Sequence, residues 1–186
     1  MSTKFQTLLI VTVAALATLA PVCVLSGGDT SSKNGSIELS EGALVEVFGE
    51  NAEVRIRRVS TDTLRWDITL HNDEFVDFYT QSLTDKTVDH YVISATTSTG
   101  GATTANSVLE LSVPDGIQLV VQSTNRPIAV EEIMVISASL TTTNGKISVI
   151  NSTGDFVLNT NNSEVTVQAV TGQVDVTTTN AHVWFE

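Results

Sequence analysis

Basic residues are scarce in this 186-residue chain: nine Lys and Arg stand against 21 Asp and Glu, for a formal charge of −12. A pI near 4.4 leaves no cationic footprint for phosphates, which argues against nucleic acid as a partner and against docking on an anionic membrane surface. Cysteine is nearly absent. The one present, Cys23, lies in an N-terminal apolar run, so there is no disulfide framework and no cysteine-based metal site. No Ser sits in a Gly-x-Ser-x-Gly elbow, and the three His never join carboxylates and a nucleophile in a catalytic set. Enzymatic activity and a bound cofactor are therefore not expected. Aromatics make up 5% of the chain, while Thr, Val, Ser and Asn are plentiful. That balance suits exposed β-surface and turns.

The one long apolar run, Leu8 to Leu25, follows Lys4 and precedes a polar stretch from Asp29 to Ser36. It reads as a secretory signal or membrane anchor over residues 1–26, with a flexible linker at 27–41 and the folded domain at 42–186. The membrane is then touched only through the N-terminal segment. Lipidation at Cys23 fits poorly, because Val22 is larger than the residue such sites place there. Export is the expectation, to the cell surface or beyond it.

What the chain does have is a repeat. From Ser137 onward, Asn144, Asn162 and Asn180 recur eighteen residues apart. In step with them run four apolar columns: Ala138, Phe156 and Val174; Leu140, Leu158 and Val176; Ile147, Val165 and Val183; Val149, Val167 and Phe185. The pattern predicts an all-β fold, a short β-solenoid with two strands per eighteen-residue rung, in which each unit buries its apolar face against its neighbours. Asn144-Gly145, Thr153-Gly154, Asn162-Ser163 and Thr171-Gly172 suggest half-turns every nine residues. A hexapeptide helix is excluded because Lys146, Glu164 and His182 fall where it needs apolar residues. A calcium-binding β-roll is excluded because its turn aspartates are missing.

The same template fits earlier segments. Aligning Asn51 with the Asn column makes Val45, Val47, Val54 and Ile56 inward, and aligning Asn125 does the same for Leu119, Val121, Ile128 and Val130. The distance between these asparagines suggests about three degenerate rungs between them, within an irregular insertion around 71–107. Regular rungs occupy 108–186. Leu64, Trp66, Ile68 and Leu70 alternate as a strand, and the segment from Phe75 to Leu83 is read as a short helix.

The run SVLELSVPDGIQLVVQSTNRPIAV and the following Thr-x-x-Gly-x-Ile-x-Val units resemble the bacterial and archaeal β-strand-repeat family catalogued under the name "putative adhesin". The resemblance covers Gly42 to Glu186 and is strongest from Val108. It implies a non-enzymatic surface protein and supplies no catalytic residues. The partner it implies is an unidentified cell-surface or matrix protein or glycan.

Several residues are candidates on their own chemistry. Arg55, Arg57, Arg58 and Arg65 cluster in an acidic chain and could form a patch for an anionic glycan. Against this stands pairing with Glu46, Glu50, Glu53 and Asp67. Asn34, Asn151 and Asn161 head Asn-x-Ser/Thr sequons for N-glycosylation. His71, Asp73, Glu74 and Asp77, with His90 beyond, lack any recognised metal spacing. Thr141, Thr143, Thr177 and Thr179 face outward, but Asn159 and Asn161 interrupt the ladder an ice-binding face would need. The last rung stops at Val183, Trp184 and Phe185, so either the protein continues past Glu186, or Trp184 folds over the end, or this edge pairs with another subunit, giving a homo-oligomer by end-to-end stacking. A carbohydrate-active enzyme on a β-helix is the weaker alternative.

Overall fold

The computed structural model describes residues 31–70, 76–85, 88–97 and 107–186. The segment expected as signal or anchor (1–26) lies outside them, as do His71, Asp73 and Glu74. Among the described residues, fifteen strands make up the regular structure. In chain order these are β1 (Ser31–Glu38), β2 (Leu44–Gly49), β3 (Glu53–Arg58), β4 (Thr63–Leu70) and β5 (Val76–Asp85). Next come β6 (Val88–Thr97), β7 (Val108–Val113), β8 (Gln118–Ser123), β9 (Ile128–Glu131) and β10 (Met134–Thr142). The last are β11 (Ile147–Ile150), β12 (Thr153–Thr160), β13 (Val165–Gln168), β14 (Val174–Thr178) and β15 (Val183–Phe185). The described residues contain no helix. The segment expected as a short helix lies largely in β5, which pairs antiparallel with β6.

The strands form two sheets, ordered β1-β4-β7-β3-β9-β11-β13-β15 and β14-β12-β10-β8-β2-β6-β5. From β7 and β6 to the C-terminal edges all pairing is parallel, and the chain alternates between the sheets. Period-2 patterning determines what faces in. Val45, Leu119, Ala138, Phe156 and Val174 lie side by side in one sheet, as do Val47, Val121, Leu140, Leu158 and Val176. Across from them run Val54, Ile128, Ile147, Val165 and Val183, then Ile56, Val130, Val149, Val167 and Phe185. The inward residues of both sheets make one buried cluster. At roughly 1.5–3 kcal/mol for each large apolar side chain removed from water, these columns hold the sheets together.

The threading differs from the expected run of degenerate rungs. β2 pairs with β8 on one side and β6 on the other, and β3 lies between β9 and β7. The first strand pair is thus clasped between two later ones, and the turns at Asn51 and Asn125 are neighbours. Antiparallel strands use up the rest of the intervening chain. β4 packs Trp66 opposite Leu111 and Ile68 opposite Leu109, and β5 extends β6. β1 then adds outside β4, so the expected linker at 27–41 contains a paired strand. Trp66 and Tyr91, with ring centroids 5.5 Å apart, close this end of the core.

Nor are the half-turns evenly spaced. From β9 onward a short strand such as β11 leads into a longer one such as β12, with the corner at Asn151 rather than at Thr153-Gly154. Glu132, Asn151 and Ala169 take φ of 58°, 50° and 50° at successive corners. Gly154 and Gly172 lie just past them for a different reason. Their φ values are 142° and 127°, and a side chain at either would run into the carbonyl oxygen of Val135 or Gly154 on the preceding strand.

Candidate interaction surfaces

The arginine strand sits on the outer face of the eight-stranded sheet. Arg55 and Arg57 alternate outward from β3, whose inward residues are Val54 and Ile56. The Arg55 guanidinium donates to Glu53 at 2.7 Å and to Glu110 at 3.4 Å. Arg57 lies 3.3 Å from Glu131. Arg58 grips Asp115 with two nitrogens, the Nε bond being 2.7 Å. Bonding to these carboxylates, Glu53 first for Arg55 and Asp115 for Arg58, holds both guanidinium pKa values above their ordinary range. Of the expected partners only Glu53 is used. Glu110 and Glu131 arrive because β7 and β9 flank β3, which the linear sequence does not show. Arg65 is separate from this network. It is exposed on β4 in an open groove of about 450 Å³ shared with Asn34, Ser36 and Ser112. Three of the four arginines therefore face carboxylates, which leaves little free positive charge for an anionic ligand.

The sequon asparagines are all exposed, Asn34 on β1, Asn151 at a corner and Asn161 just past β12. His90 meets Glu46 at 2.9 Å. Among the described residues no three His, Cys, Asp or Glu groups are placed to hold a metal ion, and no helix there is long and apolar enough to cross a membrane.

At the C-terminal edge, Trp184 does not fold over the end of the core. It projects outward from β15, beside Thr166 of β13, and is 55% exposed. The indole is among the groups that lower the Glu164 pKa, behind Lys146 and Thr166. That carboxylate accepts from Lys146 at 2.6 Å and Thr166 at 3.3 Å. The Lys146 hydrogen bond is the main reason the Glu164 pKa lies below its ordinary value. His182 lies against the indole, with ring centroids 6.4 Å apart. Phe185, by contrast, continues an inward column yet is 63% exposed, because it is on the edge strand.

No protein-family profile and no curated protein matches the sequence. A solved structure from Clostridium sporogenes, described as a "putative cell adhesion protein", superposes with a TM-score of 0.65 at 8% identity. The match covers 84% of this chain and 99% of that one. The likeness is one of fold. A "putative adhesin" from Parabacteroides merdae matches over 82% of this chain and 77% of its own at 11% identity, but its TM-score of 0.31 carries no weight.

Two features of these surfaces escaped the sequence reading. One is the Glu164 hub beneath Trp184, whose signal was the run Lys146, Glu164, His182 in one outward column. The other is a buried hydroxyl column, Ser123, Thr142, Thr160 and Thr178, alongside the apolar ones. The Thr142 hydroxyl accepts from the Gly145 N–H at 3.1 Å and Thr160 donates to the Gly145 carbonyl at 3.3 Å. Among the described residues Thr178 has no such partner.

Proposed function

We propose that this chain is a non-enzymatic, exported surface protein of adhesin type. In this reading the stacked strand pairs form a short β-solenoid held off the membrane by the N-terminal segment, and the outer faces contact a cell-surface or matrix partner. The observation that carries the proposal is the division of labour between columns. Inward positions are apolar and shielded, while outward positions present flat sheet faces of polar and charged side chains, such as Thr141, Asn159, Thr177, Arg55 and Glu110, with Met134, Ile136 and Val157 as exposed apolar exceptions. Such faces suit recognition over an area rather than capture of a small molecule in a cavity. The parallel, one-rung register supports the solenoid, and the Clostridium sporogenes likeness supports the adhesion theme. Beads coated with the full chain should bind cells or extracellular matrix saturably, and retention no greater than that of albumin-coated beads would refute the reading.

A second reading has its own observation. In β14 and β15, Val174, Val176 and Val183 are only half-buried, whereas their counterparts one strand earlier are shielded. The Thr178 hydroxyl is buried without a partner among the described residues. An edge of this kind would accept a further rung from a second copy, giving end-to-end assembly. Sedimentation at increasing concentration tests this, and a strictly monomeric species throughout would count against it.

A further inference from the structure

Trp184 stands out on the molecule's surface. It points away from the core, so its exposure does not come from the open edge as that of Phe185 does. It also has neighbours on its own face, Thr166 alongside it on β13 and the ring of His182, 6.4 Å from the indole between centroids. Glu164 is fixed by Lys146 and Thr166. An aromatic side chain packed beside such neighbours yet left in water is available for contact, and the fewer rotamers it has to give up, the less ordering a ligand must impose.

The surroundings select the ligand. Along the row that contains Trp184 come Thr166, Ser148 and Ala129, with no second large apolar side chain. A protein partner would be met by a cluster of apolar residues inside a polar rim. Here one ring lies in a polar field. A pyranose is complementary to that arrangement: its C–H face stacks on the indole and its hydroxyls reach the carboxylate and hydroxyl beside it. The Glu164 carboxylate and the net charge of −12 disfavour an acidic sugar.

We propose that Trp184, flanked by Glu164 and Thr166, is a stacking platform for a neutral sugar residue of a surface glycan. The proposal rests on the adhesion reading and names its ligand class. It also moves the sugar site away from the arginine strand, where carboxylates already occupy Arg55, Arg57 and Arg58.

The test is ligand-observed NMR titration of the full chain with cellohexaose, chitohexaose and mannohexaose, and with a hyaluronan hexasaccharide as the acidic arm. At least one neutral sugar should bind with Kd of about 1 mM, and Trp184→Ala should weaken it at least about tenfold without shifting the melting temperature. Trp184→Tyr, which keeps a ring, should retain most of the affinity and guards against a folding artefact. Three results would overturn the platform: no neutral sugar binds, only the acidic one binds, or Trp184→Ala binds unchanged. Loss of bead retention in Trp184→Ala on an enzymatically deglycosylated protein surface would overturn it too, by assigning the ring to a protein partner. Retention of both beads alike would sink the platform while leaving adhesion standing. Sugar binding in solution without bead retention by the wild type would sink adhesion alone.

Discussion

Asn125 donates its side-chain amide to the Oδ1 of Asn51 at 2.7 Å, although 74 residues separate them. The same bond recurs from Asn144 to Asn125, Asn162 to Asn144 and Asn180 to Asn162, each at 2.8 Å. A ladder of side chains thus runs along one turn column and joins the first strand pair to the later ones. Asn125→Ala removes a donor and an acceptor at once and should cost about 1–2 kcal/mol in urea unfolding. Asn180→Ala removes one bond only and should cost about half as much.

Gly154 is set by backbone approach. A Cβ there would lie 2.5 Å from the Val135 carbonyl oxygen, and φ is 142°. Gly154→Ala should destabilise by about 2 kcal/mol or more, because backbone on both strands would have to shift. A melting curve superposable on that of the wild type would refute this close approach.

Ala169 makes the opposite case. It is exposed and adopts φ of 50°, where a Cβ is disfavoured. Ala169→Gly should therefore raise stability by about 0.5–1 kcal/mol, since the strain removed exceeds the extra freedom of the unfolded chain. A fall in the urea midpoint would contradict the corner geometry.

Glu164 gives a pH signature. Its folded pKa is depressed, chiefly by the Lys146 hydrogen bond. Its contribution is therefore present above the ordinary carboxylate pKa and lost as pH falls through that value towards the depressed one. Glu164→Gln should flatten the acid side of the stability profile in that window and leave the neutral side nearly parallel to the wild type. An unchanged acid limb would show that the Lys146–Glu164–Trp184 cluster does not persist in solution.

How much of this could be read from the sequence depended on the range of the interaction. The inward columns, from Val45 and Val47 through Val176 and Phe185, were legible because burial on one sheet face imposes a period of two and parallel stacking imposes the repeat. The clasping of β2 and β3 was not, since nothing local to Asn51 distinguishes a neighbour on the adjacent strand in space from one close by in sequence. Glu110 and Glu131 were missed as arginine partners for the same reason. The corners were missed for a different one: Glu132 and Ala169 are not residues that favour left-handed φ, so tertiary stacking overrides local preference there. The outward position of Trp184 followed from alternation, but its place beside Thr166 needed the register of β13 and β15.

The clasped first strand pair is the feature from which every face and column follows. Methyl–methyl NOEs in specifically labelled protein test it most directly. Val47 should show cross-peaks to both Val121 and Ile93, its partners on either side. NOEs from Val47 to neither, or to only one of the two with the other resolved and silent, would contradict the threading.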